Sequence, residues 1–173
     1  MRAPCATFGG CRAVARTRVS SAFFAPTREA PERNIQVNTS ADVTITNSVF
    51  YSTGPNGNVE DRAILLATSA TGHVTISNNL ITGDAEAKYG TASWHRGIWS
   101  DGATSELDIT GNTFEYTRTA INLDGYNDAV TTVSGNSFTT SGSGISIGTP
   151  VGTTYAGIHD NTFTDVDTDL NMQ

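Results

Sequence analysis

The sequence predicts an all-β protein, a parallel β-helix (solenoid) of about five turns that occupies residues 34–173. Two observations carry this prediction. A strand–bend–strand pattern recurs about every 24 residues, and no part of this region has the apolar spacing of an amphipathic helix. Because one such unit cannot bury its apolar face alone, successive units should stack and share a continuous core.

Five copies of an eight-residue motif define the repeat. Apolar and polar residues tend to alternate before the bend, which is the period of a strand with one buried face. The third position is always aliphatic and β-branched, and the eighth is always large and apolar, so both should point into the core. The copies are VTITNSVF (43–50), VTISNNLI (74–81), LDITGNTF (107–114), TTVSGNSF (131–138) and AGIHDNTF (156–163).

The fifth and sixth motif positions predict a tight bend. The fifth is Asn, Gly or Asp in every copy, and these residues adopt a left-handed backbone at low cost. The sixth is Ser in the first copy and Asn in the other four, so the side-chain amides should stack and bond from turn to turn. An antiparallel sandwich of short strands is the alternative fold. Hairpins, however, would not need the same bend chemistry at the same phase in every copy.

A second strand should follow each bend, marked by an apolar anchor residue. In the last three copies the anchor follows the eighth motif position by seven residues, and the first two copies carry insertions before it. These insertions, 52–61 and 82–95, should rise side by side from one corner of neighbouring turns, where binding groups are often found. The anchors are Ile64, Ile98, Ile121, Ile145 and Leu170.

Charge divides the chain into two parts. Residues 1–33 carry a net charge of +4 and residues 34–173 a net charge of −11. The acidic body argues against nucleic-acid binding, and no apolar run is long enough to span a membrane. The basic segment contains both cysteines, Cys5 and Cys11, and lacks the apolar core of a secretory signal. We therefore expect residues 1–33 to be a mostly disordered or non-native leader.

The N-T-F and G-I-x-x-D-G phrases, such as RGIWSDG (96–102) followed by GNTF (111–114), resemble the right-handed parallel β-helix proteins of the pectin-lyase-like superfamily. The resemblance covers roughly residues 35–173. It implies a right-handed solenoid and a secreted bacterial protein, and some such proteins also carry calcium-binding modules. The polygalacturonase motifs are missing. KYGTASWHRG (88–97) resembles the alginate-lyase and epimerase segment, but no Asp lies within it.

Candidate site residues lie in and beside the two insertions. An enzyme of this class would use Tyr89 or His95 to abstract a proton, while Arg62 and Arg96 held a uronate carboxylate. Aromatic faces could stack on sugar rings, and carboxylates could bind Ca²⁺, the one cofactor that the sequence suggests. The predicted substrate-binding residues are Lys88, Trp94, Trp99, Asp101 and Asp124, and the predicted metal ligands are Asp61, Asp84 and Glu86.

Structural interpretations compete with these roles. The Asp-Gly pairs at 101–102 and 124–125 are typical of tight turns, and stacked arginines beside acidic loops are typical of surface ion pairs. His73 and His159 have no visible partner in the sequence, so the histidines do not predict a metal site. The outward Thr and Ser columns suit strands, although flat threonine arrays also occur in ice-binding proteins.

The sequence favours a β-helix repeat module of a secreted or cell-surface bacterial protein, which serves as a scaffold or carbohydrate-binding surface. The alternative is a polysaccharide lyase or C5-epimerase acting on acidic polysaccharide, so enzymatic activity stays undecided. No convincing cap covers either end of the solenoid, and open strand edges pair with other strands. We therefore expect part of a longer solenoid, or end-to-end self-association.

Overall fold

The protein is described by a computed structural model, which places residues 17–20, 23–24, 33–52, 62–83, 95–102, 106–148 and 154–172. These residues form sixteen strands in two parallel sheets. The strands are β1 (Thr17–Ser20), β2 (Phe23–Phe24), β3 (Arg33–Val37), β4 (Val43–Thr46), β5 (Val49–Tyr51), β6 (Arg62–Leu66), β7 (His73–Ser77), β8 (Leu80–Thr82), β9 (Arg96–Asp101), β10 (Glu106–Thr110), β11 (Thr113–Glu115), β12 (Thr119–Asp124), β13 (Thr131–Ser134), β14 (Ser137–Ile147), β15 (Ile158–His159) and β16 (Thr162–Met172).

Each sheet is built from one strand position of successive repeats. The first sheet has the order β1-β4-β7-β10-β13-β15, and the second runs β2-β5-β8-β11-β14-β12-β9-β6-β3, with β16 beside β14. All of the described strand pairs are parallel. Every repeat therefore lies directly on the one before it, and the predicted parallel β-helix is confirmed.

The core consists of columns of equivalent side chains. At the third motif position Ile45, Ile76, Ile109 and Val133 are fully buried and pair in register. At the eighth position the rings of Phe114 and Phe138 stack with centroids 5.0 Å apart, and Phe138 and Phe163 follow at 4.8 Å. Offset-stacked aromatic pairs at this spacing add stability beyond the burial of their area.

The bends have the predicted chemistry. All five residues at the fifth position have a positive φ, from 52° at Asn47 to 64° at Gly111 and Gly135. At the sixth position, Asn112 Oδ1 accepts bonds from Asn79 N and Nδ2 at 3.0 and 2.9 Å. Asn136 Oδ1 accepts the same two bonds from Asn112. This ladder of buried amides satisfies backbone and side-chain groups at one corner of every turn and fixes the stacking register.

Strand pairing begins before the predicted boundary at residue 34. β1 pairs with β4 and β2 pairs with β5, so Phe24 lies next to Phe50 in the ladder. Most of segment 1–33 lies outside the described residues, and its predicted character as a leader stays a prediction.

The last described turn is more open than the turns before it. Leu170 and Met172 are 38% and 59% exposed, whereas the equivalent Ile145 and Ile147 are fully buried. End-to-end association through this turn stays a prediction. Among the described residues, we find no helix of the length and apolarity needed to cross a membrane.

Candidate functional site

Two groups that include charged side chains lie outside the apolar core of the solenoid. The first, here called the Arg–Trp–Asp patch, consists of Arg62, Arg96, Trp99, Asn122 and Asp124 on β6, β9 and β12. Arg62 lies opposite Arg96 in the ladder, as their common phase predicts, and Asn122 lies opposite Trp99. The guanidinium carbons of the two arginines are 3.9 and 4.5 Å from the centroid of the Trp99 ring. Both distances are within the range of cation–π attraction.

The patch is tied together by its own hydrogen bonds. Trp99 Nε1 donates to Asp124 Oδ2 at 2.7 Å, and Asn122 Nδ2 donates to Asp124 Oδ1 at 3.0 Å. Arg62 is only 3% exposed, whereas Arg96 and Trp99 are half-buried. A ligand on this face would therefore contact the partly exposed Arg96 and Trp99 before it reached Arg62.

The other predicted site residues fall into two groups. Asp101 is exposed and lies opposite Asp124 in the ladder, and His95 Nδ1 is 3.3 Å from Arg96 Nη1. Gly125, with a φ of 85°, fits the interpretation of the second Asp-Gly pair as a turn. The rest lie outside the described residues, and their roles stay predictions: Asp61, Asp84, Glu86, Lys88, Tyr89 and Trp94.

The second group, here called the His–Glu–Asp cluster, lies on the outward face of the first sheet. It consists of His73 on β7 and of Glu106 and Asp108 on β10. His73 Nε2 is 2.8 Å from Asp108 Oδ2, and His73 Nδ1 is 3.6 Å from Glu106 Oε2. One imidazole ring therefore lies between two carboxylates that come from the next turn.

The alternation of the two strands places these side chains. Val74 and Leu107 are buried and pair in register, so the residues that precede them, His73 and Glu106, point outward side by side. Asp108 follows on the same outward face, opposite Thr75. The rigid core below thus holds the backbone of all three residues of the cluster.

Further oxygen atoms surround the cluster. The Thr75 hydroxyl is 3.5 Å from His73 Nε2. On the preceding turn, Asp42 Oδ1 accepts a 3.4 Å bond from the backbone N–H of His73. Asp42, Thr44, His73 and Thr75 line a shallow depression of about 220 Å³. Oxygen therefore predominates among the polar atoms around His73.

The donor atoms of the cluster suit a metal ion. One nitrogen and two oxygens lie within 4.8 Å of one another, and no second group of three such ligands comes this close in the part of the chain that the structure describes. Two ligand atoms bound to the same first-row ion, each about 2.0–2.2 Å from it, are at most roughly 4.4 Å apart. Because the three atoms of the cluster are already within 4.8 Å of one another, small side-chain movements would bring them onto one ion. The side chains of His73, Glu106 and Asp108 are 38%, 58% and 30% exposed, which leaves room for these movements.

The aligned motif does not include this cluster, although the sequence carries a signal for it. His73 and Glu106 occupy the same phase, one residue before the second and third copies of the motif. Extending the alignment by that one residue would have placed them side by side. The structure thus gives His73 two partners, whereas His159 Nδ1 contacts one carboxylate, that of Asp160, at 2.9 Å.

A third polar group has a structural character. Tyr126 is 2% exposed, its ring stacks on Tyr155, and its hydroxyl donates to Asp128. Thr154 Oγ1 donates to the other Asp128 oxygen at 2.6 Å. Burial, together with the bond to Asp128, raises the pKa of Tyr126 well above its usual value. The bonds from Thr154 and Tyr126 lower the pKa of Asp128.

Comparison with known proteins gave a family match. Residues 14–172 match the family model described as "Periplasmic copper-binding protein (NosD)". Neither the curated proteins nor the solved structures gave a match. The family has the right-handed parallel β-helix fold, in agreement with the predicted fold class, and its periplasmic location agrees with the predicted secreted or cell-surface location.

Proposed function

Because the chain belongs to the NosD family of periplasmic copper-binding proteins, we propose that it is a periplasmic β-helix module that binds a copper ion at the His–Glu–Asp cluster. The observation that carries this proposal is the convergence of His73, Glu106 and Asp108 within 4.8 Å on one rigid face. In this role the chain is a binding module, and the solenoid serves as the scaffold that presents the ligands.

The chemistry of the cluster supports a copper ion. Imidazole nitrogen suits copper, and a mixed set of nitrogen and oxygen donors is typical of Cu(II). Cu(II) also lies at the top of the affinity order of the divalent first-row metals. The two carboxylates offset the charge of the ion. The ion would take the place of the contact between His73 Nε2 and Asp108 Oδ2.

The backbone supports the same proposal, because the ligands need little reorganisation. The ladder between β7 and β10 holds His73 opposite Glu106 and Thr75 opposite Asp108. Ligands on rigid strands keep their geometry better than ligands on loops. All three point away from the core, so coordination positions on the solvent side stay open to water or to an incoming ligand.

Replacement of His73 tests the proposal. Cu(II) binding would be followed by isothermal titration calorimetry and by electron paramagnetic resonance of the bound ion. We expect His73→Gln to weaken binding at least tenfold, since even residues that only support a metal ligand contribute about 10–100-fold. His159→Gln is the matched control, because it removes an exposed imidazole that contacts one carboxylate.

Two results would count against copper binding at the cluster. One is an equal loss of affinity in His73→Gln and His159→Gln. The other is the same nitrogen hyperfine pattern in the wild type and in His73→Gln. Circular dichroism of each variant would check that the β-helix is intact.

Binding of an acidic saccharide at the Arg–Trp–Asp patch is a second candidate function. It is favoured by the half-buried pair of Arg96 and Trp99, which places a guanidinium group over an aromatic ring. Arginine can hold a uronate carboxylate with two hydrogen bonds, and an aromatic ring can pack on a sugar. A lyase or epimerase would also need a base, for which His95, 3.3 Å from Arg96, is the described candidate.

Binding assays with alginate and pectate test this second function. Arg96→Gln should lower retention on immobilised uronan, whereas Arg118→Gln, which alters an exposed arginine outside the patch, should not. The ultraviolet absorbance of unsaturated uronate ends would report lyase activity. Equal retention of the two variants would remove the patch as a saccharide site.

A further inference from the structure

We infer that the His–Glu–Asp cluster selects Cu(II) over Cu(I), an inference that rests on the proposed function. The donor atoms within the cluster are one imidazole nitrogen and two carboxylate oxygens. Two further groups that contact His73, the Thr75 hydroxyl and the Asp42 carboxylate, also offer oxygen. Cu(I) is a soft ion that favours thiolate and thioether sulfur, whereas Cu(II) favours nitrogen and oxygen.

Sulfur is remote from the cluster in the described part of the chain. The sulfur-containing residue there is Met172, at the end of β16. β16 belongs to the fifth repeat, whereas the cluster joins the second and third repeats. At about 4.8 Å per turn, β16 lies roughly 14 Å from β7 and 10 Å from β10 along the solenoid. A methionine side chain cannot cover that distance, so the described residues leave Cu(I) without its preferred ligand.

The carboxylate charges around His73 also favour Cu(II) over Cu(I). Glu106 and Asp108 face His73 from one side, and Asp42 lies on the turn on its other side. The neighbouring outward positions on β4 and β13, Thr44 and Thr132, are uncharged. The attraction of the carboxylates for a doubly charged ion is twice that for a singly charged one at the same distance.

Selectivity of this kind makes retention of the ion depend on its oxidation state. A one-electron reductant such as ascorbate converts bound Cu(II) to Cu(I) without breaking any bond within the protein. The reduced ion would then pass to any acceptor that offers sulfur. A hundredfold preference for Cu(II) lowers the reduction potential of the bound ion by about 120 mV, since a one-electron couple shifts by about 59 mV per tenfold.

The test compares the affinities of the two oxidation states in the full chain. Cys5→Ser and Cys11→Ser form the background, so that the two thiols do not contribute to Cu(I) binding. Competition with a Cu(II) chelator in air and with a Cu(I)-specific chelator under anaerobic conditions gives the two dissociation constants. We expect Cu(II) to bind at least a hundredfold more tightly, and ascorbate with the Cu(I) chelator to remove the ion.

A substitution within the cluster tests whether donor type decides this preference. Asp108→Met replaces a carboxylate oxygen by a thioether and should move the affinity ratio toward Cu(I) by tenfold or more. Asp108→Asn is its control, because it removes the charge and keeps oxygen as the donor. A ratio that moves equally in both variants would contradict selection by donor type.

The outcomes separate this inference from the proposal on which it rests. Cu(I) affinity that equals or exceeds Cu(II) affinity, and that is lost in His73→Gln, would overturn the inference and leave copper binding at the cluster intact. No His73-dependent binding of either oxidation state would overturn both.

Discussion

The Arg–Trp–Asp patch and the His–Glu–Asp cluster are built by the same solenoid register and differ in how their charges are satisfied. In the patch, both Asp124 oxygens accept hydrogen bonds from neighbours within the patch, and both guanidinium groups lie on the Trp99 ring. In the cluster, two carboxylates share one imidazole, and all three side chains are partly exposed. The patch is therefore suited to holding neighbouring turns together, and the cluster to attracting a cation.

A substitution in the bend ladder should destabilise the turn that contributes residues to both the patch and the cluster, and it should have the largest effect on stability. Asn112 belongs to the turn that carries Glu106, Asp108, Asn122 and Asp124, and it is 1% exposed. Asn112→Ala removes the acceptor of the Asn79 N–H and one donor to the carbonyl of Ile76. Since each buried unsatisfied group costs about 1–3 kcal/mol, we expect the free energy of unfolding to fall by about 3–4 kcal/mol.

Urea denaturation measures this loss, with Asn161→Ala as the comparison. Asn161 belongs to the same ladder but lies in the last described turn and is less buried, so its substitution should cost less. Equal losses in the two variants would mean that burial does not set the strength of the ladder.

Substitution of Trp99 should show that the patch stabilises the fold more than the cluster does. Trp99→Ala removes two cation–π contacts and the packing of a half-buried ring, which together stabilise the fold by about 2–3 kcal/mol. His73→Gln should change the free energy of unfolding by no more than about 1 kcal/mol, because its ion pairs are partly exposed. Chemical denaturation of the two variants would show whether the patch is the structural one. A larger loss of unfolding free energy in His73→Gln than in Trp99→Ala would mean that the cluster, and not the patch, stabilises the fold.

The smallest expected effect concerns the pH dependence of a third site, outside both groups. Hydrogen bonds from Thr154 and Tyr126 lower the pKa of Asp128 in the folded protein. A lowered folded pKa means that this carboxylate stabilises the fold above its unfolded pKa and loses the effect as the pH falls through the folded pKa. The difference in unfolding free energy between wild type and Asp128→Asn should therefore be constant near neutral pH and disappear in acid. If the difference between wild type and Asp128→Asn grew as the pH fell, it would contradict the lowered pKa of Asp128 in the folded protein.

Much of the fold could be predicted from sequence because every turn repeats the same local requirement. The left-handed residues at Asn47, Asn78 and Asp160, and the amide ladder of the next position, follow from the side-chain chemistry of five aligned copies. The pairing of Arg62 with Arg96 follows in the same way, because each precedes its apolar anchor residue by two positions and equivalent positions pair in a parallel solenoid.

Other features could not be read from the repeat. The bond from Trp99 to Asp124 joins residues at different ladder positions, so it depends on how a long side chain lies across the face. His73 and Glu106 lie one residue before the aligned motif and are residues of different types, so the repeat pattern does not draw attention to them as a pair. Most of both insertions, with six of the predicted site residues, lies outside the described residues. The repeat gives no rule for such segments, because they are additions to it.

Copper binding at the His–Glu–Asp cluster can be tested by the electron paramagnetic resonance spectrum of one equivalent of Cu(II) bound to wild type, His73→Gln and His159→Gln. We expect hyperfine coupling to one imidazole nitrogen in the wild type and in His159→Gln, and loss of that coupling in His73→Gln. If His73→Gln kept the wild-type spectrum while His159→Gln lost it, copper would bind outside the His–Glu–Asp cluster.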